Sequence, residues 1–89
     1  MHTSYKELNQ KIKEAKGILP IGTKWTHYKN EKVVYIILDI CIHEEDEAIS
    51  VIYSSEENPE IKWIRKFESF IGTVEKDGNS ISRFIKFKS

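Results

Sequence analysis

The chain has 89 residues and a mass of 10.5 kDa, and its 14 basic and 14 acidic residues give a formal net charge of zero. This length suits one domain, predicted over residues 1–89, and excludes a dinucleotide-binding unit with a separate substrate domain. The single cysteine, Cys41, excludes an intrachain disulfide. No apolar run approaches the roughly 18 residues that span a bilayer, and residues 1–16 lack a signal-peptide pattern. The sequence therefore predicts a cytoplasmic protein with no membrane association.

The charges are segregated along the chain. Residues 1–30 hold six Lys and two Glu, residues 31–60 hold one Lys and nine acidic residues, and residues 61–89 hold seven basic and three acidic residues. These segments can pair within one chain or between copies, and we expect a homodimer or a higher closed assembly. The zero net charge disfavours nucleic acid as a partner, because nucleic-acid affinity depends largely on phosphate neutralisation.

Lysine strongly outnumbers arginine. The chain has twelve Lys, fourteen Ile and only two Arg, Arg65 and Arg83, a bias that indicates an AT-rich genome such as that of a low-GC bacterium or a phage. Against that bias, arginine marks positions where a planar, bidentate donor is needed rather than a point charge. The alternatives are chance or a structural ion pair with the acidic middle segment.

Residues 4–16 are predicted to form a helix. Ser4 and Glu7 have the spacing of a capping box, and Gly17 suits the C-terminal cap. One apolar stripe follows the helical period: Tyr5, Leu8, Ile12 and Ala15.

From Thr23 onward the hydrophobic period changes to two. Strands are predicted at residues 24–29, 32–43, 48–54, 61–66 and 81–87, with a short extended segment at 73–75. Turns are expected at residues 30–31 and 44–47 and at Asp77-Gly78, and Phe67–Phe70 has the composition of a single helical turn. In the long second strand the even positions are all aliphatic and are predicted to face the core: Val34, Ile36, Leu38, Ile40 and Ile42.

This pattern predicts a mainly β fold with one N-terminal α-helix. Five or six short strands joined by tight turns in residues 22–87 favour a small SH3-like barrel or a strongly bent antiparallel sheet, since either arrangement protects the strand edges. The SH3-like alternative is an analogy of fold and carries no function.

Two short motifs are candidates for a binding site. Trp63-x-Arg65 places an indole and a guanidinium on one face of a strand, which suits a planar ligand that carries a negative charge. The alternative is a core tryptophan with Arg65 extending over it. In the run His27-Tyr28-Lys29, the first and last side chains share a face and can line an anion pocket, or they lie at the surface with Tyr28 in the core.

Other reactive residues give weaker indications. The run from His43 to Glu47 groups a histidine with acids, but it lacks a metal-loop spacing and is predicted to be a solvated turn. Cys41 is predicted to be an inert, buried thiol. The sequence shows no nucleophile elbow, phosphate loop or paired-carboxylate motif, so no catalytic residue, cofactor or metal is predicted.

The residues from Gly22 to Phe84 resemble a bacterial and phage family catalogued as domain of unknown function 1653. The resemblance follows an ordered string of residues: Gly22, His27-Tyr28-Lys29, Tyr35, Val51-x-Tyr53, Trp63-x-Arg65, Phe70, Asp77-Gly78 and Arg83-Phe84. Lys66 stands where the family usually has proline, and Glu56 and Glu57 stand where it tends to have apolar residues. The polar and aromatic character of these signature positions implies a binding site more than a packing requirement.

We therefore expect a non-catalytic binding module for a small anionic, nucleotide-derived ligand. If the chain is phage-encoded, such a module would act in the host cytoplasm and sequester a host signalling nucleotide. The alternatives are an SH3-like domain that binds protein or RNA and an enzyme that uses His27 as general acid or base. The predicted ligand-binding residues are His27, Lys29, Tyr35, Tyr53, Trp63, Arg65 and Arg83.

Overall fold

The computed structural model describes residues 4–87, so the predicted domain bounds extend beyond the described residues at both ends. The chain forms a five-stranded antiparallel sheet, a two-stranded hairpin, one long helix and one helical turn. In chain order the elements are α1 Tyr5–Ile18, β1 Lys24–His27, β2 Asn30–Ile42, β3 Ile49–Ser55, β4 Trp63–Lys66, α2 Phe67–Phe70, β5 Thr73–Lys76, β6 Asn79–Ser82 and β7 Phe84–Lys86. The prediction of a mainly β fold with one N-terminal helix is confirmed. Within residues 4–87, no helix has the length and apolar character needed to cross a membrane.

The strands of the main sheet lie in the order β4-β3-β2-β1-β7. β1 and β2 are joined by a two-residue turn, because His27 pairs with Asn30 across the hairpin. Tyr28 and Lys29 form this turn, so the turn predicted at residues 30–31 is wrong by two positions. The shift removes Lys29 from the strand face that it was predicted to share with His27.

The last predicted strand is two strands, separated at Arg83. β6 pairs with β5 across the predicted hairpin turn, where Asp77 and Gly78 have φ angles of 53° and 81°. Positive φ at both central residues is the backbone of a type I′ turn, which matches the twist of the flanking strands. β7 leaves this hairpin and pairs with β1 in the main sheet.

The main sheet curves enough for side chains of its two edge strands to meet. Adjacent strands lie about 4.8 Å apart, so β4 and β7 would be separated by roughly 19 Å in a flat sheet. The Cζ atom of Arg65 on β4 nevertheless lies 5.5 Å from the ring centroid of Phe84 on β7. The two edge strands do not pair with each other, so the barrel alternative is wrong and the sheet is open.

A β-bulge divides the long strand β2 into two halves with opposite phase. Ile37 pairs with Tyr53 and Asp39 pairs with Ile52, which leaves Leu38 as the extra residue. An added residue reverses the alternation of side chains beyond it. The core side chains are consequently Ile37 before the bulge and Ile40 after it, with 0% and 4% of their surface exposed.

The prediction that every even position of β2 faces the core is therefore wrong for the first half of the strand. Val34, Ile36 and Leu38 are only partly buried and belong to no core cluster. Both faces of β2 are rich in aliphatic residues, so hydrophobic period alone could not locate the bulge.

Helix α1 packs one narrow face on β2 and β3. The Ser4 side chain caps it by accepting a hydrogen bond from the Glu7 N–H at 3.3 Å, as predicted. The helix continues through Gly17 to Ile18, with Leu19 as its C-cap, so the predicted end is two residues too early. Its contacts with the core come from Ile12, Ala15 and Leu19, whereas the predicted stripe residue Tyr5 is 81% exposed.

Among residues 4–87, two surface ion pairs join the oppositely charged segments. Lys24 of the first segment lies 3.0 Å from Glu56, and Lys66 of the last segment lies 3.2 Å from Asp46. The pKa of Asp46 is lowered, first by the hydrogen bond from the Ala48 N–H and then by Lys66. Exposed ion pairs contribute little to the free energy of unfolding. These two pairs show that the basic end segments lie beside the acidic middle segment of the same chain.

Candidate functional site

A cavity of about 290 Å³ opens on the concave face of the main sheet. All five strands contribute to its wall, because their inward side chains stand side by side in the sheet register. Six residues line it: His27, Tyr35, Tyr53, Trp63, Arg65 and Phe84.

Aromatic rings form the floor of this cavity. The rings of Phe84 and Phe70 are stacked, with centroids 3.9 Å apart and an angle of 3° between their planes. Tyr53 meets both rings edge to face at 5.4 and 5.8 Å, and Tyr35 meets Tyr53 at 5.4 Å. These contacts give the cavity a rigid, flat-sided interior that suits a planar ligand.

Trp63 lies at the rim and is 51% exposed. Its position opposite Tyr53 in the β3–β4 register directs it to the same face as the other cavity residues. The alternative interpretation of Trp63 as a core residue is therefore wrong. In residues 4–87 it has no ring partner, so its indole face is available to a ligand.

Arg65 is held in place by neutral groups. Its Nη1 donates to Ser69 Oγ at 3.1 Å, its Nε donates to Tyr53 Oη at 3.5 Å, and its Cζ lies over the Phe84 ring. No other acceptor among residues 4–87 takes the remaining N–H groups of the guanidinium. A guanidinium fixed in this way loses less conformational freedom when it binds a phosphate or a carboxylate.

Arg83 is attached to the same helical turn. Its Nε donates to the Ser69 carbonyl oxygen at 3.0 Å, so α2 connects the two arginines of the chain. No carboxylate of residues 4–87 lies within ion-pair distance of Arg65 or Arg83. Within residues 4–87, therefore, neither arginine forms the structural ion pair that the sequence left open. Their positive charge is uncompensated at this end of the sheet.

His27 lies beside these charges on the cavity wall. Its pKa is lowered, first by burial and then by the positive charges of Arg65, Lys29 and Arg83, so the ring is neutral at pH 7. Its Nδ1 accepts a hydrogen bond from the Lys29 N–H at 3.2 Å. The proton of the neutral ring is consequently on Nε2, which makes His27 a hydrogen-bond donor at that atom.

The structure brings together five of the seven residues predicted from the sequence: His27, Tyr35, Tyr53, Trp63 and Arg65. Arg83 lies outside the cavity lining and approaches it through Ser69. Lys29 is exposed in the β1–β2 turn, where its Nζ lies 5.9 Å from the Tyr28 ring centroid.

Sequence reasoning missed Phe84 and Ser69 as residues of the candidate site. Phe84 belongs to the string of residues that carries the family resemblance. The sequence predicted one continuous strand over residues 81–87, however, and nothing in that strand indicated that Phe84 faces the site. The role of Ser69 depends on the α2 turn, which places its hydroxyl and its carbonyl toward different arginines. The one sequence signal for Ser69 is its place directly before the core aromatic Phe70 in that turn.

A slightly larger hollow of about 320 Å³ lies between α1, the β2–β3 turn and α2. Lys11, Lys66, Glu47 and Glu68 are among its lining residues, so its formal charges cancel. We place the candidate site in the 290 Å³ cavity instead, because aromatic rings and uncompensated positive charge converge there.

The remaining reactive residues form no such convergence. Within residues 4–87, no group of three or more metal-ligating side chains is placed to hold an ion. His43 lies 3.5 Å from Asp46, whose carboxylate also bonds Lys66. Cys41 is half-buried, and burial, followed by the nearby Asp39, raises the pKa of its thiol.

Comparison with known proteins gives one match. A family model with the description "Protein of unknown function (DUF1653)" matches residues 23–86 of the chain. No curated protein and no solved structure matches the chain. The matched range covers most of the chain and contains every residue that lines the cavity. The chain therefore belongs to the DUF1653 family.

Proposed function

We propose that this chain is a non-catalytic binding module for a small anionic ligand derived from a nucleotide. The observation that carries the proposal is the attachment of two uncompensated arginines to Ser69 beside an aromatic cavity. Arg65 would bind the phosphate, with Arg83 and Lys29 adding positive potential, and Trp63 and Tyr35 would hold the planar base. His27 would donate from Nε2 to a phosphate or carbonyl oxygen.

The lining of the cavity favours binding over catalysis. Apart from Arg65 and His27, its residues are tyrosines, a tryptophan and a phenylalanine. Catalysis by a histidine is commonly supported by a carboxylate or a thiol beside it, and the lining holds neither; the hydroxyl of Tyr53 accepts from Arg65 Nε instead. For a phage-encoded chain, the corresponding role would be sequestration of a host signalling nucleotide in the cytoplasm.

Thermal unfolding in the presence of phosphorylated compounds tests this proposal. The panel contains inorganic phosphate, pyrophosphate, nucleoside monophosphates and cyclic dinucleotides. A ligand at 100 times its Kd stabilises the folded state by about 2.7 kcal/mol, which raises the Tm by roughly 10–20 °C for a domain of this size. We expect such a shift for at least one nucleotide and its loss in Arg65→Ala.

Lys66→Ala is the matched control for this variant. It removes the same charge from the adjacent position of β4, but Lys66 points away from the cavity and bonds Asp46. Equal loss of binding in both variants would indicate a general charge effect and contradict the assigned site.

A protein or RNA partner is the second outcome of the test. If no compound of the panel changes the Tm, and single-stranded RNA binds with an affinity that falls steeply with salt, the site is a macromolecular contact surface. That result would overturn the small-ligand proposal.

Self-association is a separate expectation. The convex face of the sheet carries Ile64 and Ile85, which are 60% and 43% exposed, and burial of such side chains drives closed assemblies. We expect light scattering to give at least the mass of a dimer, and a monomer at high concentration would contradict this.

A further inference from the structure

The cavity on the concave face continues into a second hollow. This hollow has a volume of about 220 Å³, and we call it the distal subsite. Its lining residues are Val33, Tyr35, Ser55, Glu57, Asn58, Ile61 and Trp63. Tyr35 and Trp63 also line the 290 Å³ cavity, so both hollows share a wall made of two aromatic side chains. Together they reach the size of ordinary small-molecule sites.

The shared wall suits a flat group that reaches both hollows. Tyr35 is fixed by edge-to-face contacts with Tyr53 and Phe84, at 5.4 and 6.2 Å. Trp63, the second side chain of the shared wall, is half-exposed and stacks on no ring within residues 4–87. A planar ring placed against Trp63 would have one end toward Arg65 and the other toward the distal subsite.

The charged side chains at the two ends of this groove have opposite sign. Arg65 carries a positive charge in the first cavity, where the neutral His27 also donates. Glu57 carries the negative charge in the lining of the distal subsite, and its carboxylate only accepts, beside the Asn58 amide, which both donates and accepts. The neighbouring Glu56 is paired with Lys24 at 3.0 Å, but Glu57 forms no ion pair within residues 4–87.

The loop that carries Glu57 is held by its own hydrogen bonds. The Asn58 N–H donates to Ser55 Oγ at 3.1 Å, and the Ile61 N–H donates to the Asn58 carbonyl oxygen at 3.1 Å. Ser55 is buried, and the Glu56 N–H attaches the start of the loop to the Val34 carbonyl oxygen at 2.9 Å. Glu57 is therefore presented from an anchored loop.

We propose that the distal subsite selects ligands whose far end donates hydrogen bonds to the Glu57 carboxylate. This inference rests on the proposed function and adds selectivity for the edge of the base. With the phosphate at Arg65 and the base against Trp63, the edge of the base would face Glu57. Guanine presents two adjacent donors on that edge, its ring N1–H and its amino group, and a carboxylate can accept both.

Calorimetric titration with guanosine and inosine monophosphates tests the distal subsite, because these two probes differ only in the amino group. We expect the wild-type protein to bind the guanosine compound roughly tenfold more tightly, the effect of one charge-assisted hydrogen bond. Glu57→Gln should remove most of this preference, while Arg65→Ala should weaken both probes. Glu60→Gln is the matched control, since it makes the same change in the same loop at a residue that lines neither hollow of the groove.

The outcomes separate this inference from the proposed function. Equal affinity for the two probes in the wild-type protein, with loss of both in Arg65→Ala, would overturn the distal subsite and retain the anion site. An unchanged preference in Glu57→Gln would overturn it as well. Failure of both probes to bind would also reject it, and the proposed function would then be judged by the wider panel of phosphorylated compounds.

Discussion

Replacement of Phe84 by leucine removes the ring that joins the two edges of the curved sheet. This ring stacks on Phe70 at 3.9 Å, meets Tyr53 at 5.8 Å and His27 at 5.0 Å, and lies under the Arg65 guanidinium. Phe84 is 5% exposed, so leucine enters a site that is almost wholly buried and meets the cavity on one side only. The substitution therefore tests the curvature and the aromatic floor together.

The expected loss follows from these contacts. Leucine fills most but not all of the volume of the ring, and a small loss of buried volume costs about 0.5–1.5 kcal/mol. Each aromatic pair contributes roughly 0.5–1.5 kcal/mol and the guanidinium contact about 0.5–1 kcal/mol, but contacts that share one ring are not additive. We expect a loss of about 2–3 kcal/mol in the free energy of unfolding. A domain of this size has roughly 4–13 kcal/mol in total, so Phe84→Leu remains folded.

Urea unfolding followed by tryptophan fluorescence measures this loss. Phe87→Leu is the matched control, because Phe87 is 38% exposed and contacts none of the described rings, and its change should stay within about 0.5 kcal/mol. Equal losses in the two variants would refute the arrangement in which Phe84 bridges the edges of the sheet.

Three further predictions concern the helical turn and the cavity. Gly72→Ala places a Cβ atom 2.9 Å from the backbone oxygen of Glu68, so we expect urea unfolding to show a loss of about 1–3 kcal/mol. Ser69→Ala removes the acceptor of Arg65 Nη1; calorimetry should show severalfold weaker binding of guanosine monophosphate, with stability changed by less than about 1.5 kcal/mol. The pKa of His27 is lowered from 6.5 in the folded state, so the unfolded state binds this proton first as the pH falls. Stability from His27 is thus present above pH 6.5 and lost below it, and the urea midpoint of the wild-type protein should fall more than that of His27→Asn between pH 7.5 and 5.5.

Part of the candidate site could be predicted because side chains alternate regularly between the two faces of a short strand without bulges. Tyr53 and Trp63 pair directly across β3 and β4, and Arg65 follows Trp63 by two positions, so one face holds all three. No bulge interrupts that pairing. The spacing of the residues was therefore enough to group them.

The remaining features of the fold and the site could not be predicted, because the spacing of hydrophobic residues along the chain does not encode them. The bulge at Leu38 changes the phase of β2, and both faces of this strand are aliphatic enough to hide it. The turn at Tyr28 and Lys29 moves the lysine away from the cavity, and the break at Arg83 turns Phe84 inward. Curvature is also a tertiary property, so the contact between β4 and β7 could not be derived from the pattern of either strand.

The most direct test of the anion site follows the two indole N–H signals of the protein by ¹H–¹⁵N NMR during titration with guanosine monophosphate. Trp25 is an internal reference, since its indole N–H donates to Thr23 Oγ1 at 2.9 Å and it lies outside the cavity lining. The proposed site predicts that the Trp63 indole and the Arg65 Nε–H shift with one common midpoint while the Trp25 indole stays in place. Saturable binding that shifts the Trp25 indole, or that leaves both Trp63 and Arg65 unchanged, would contradict it.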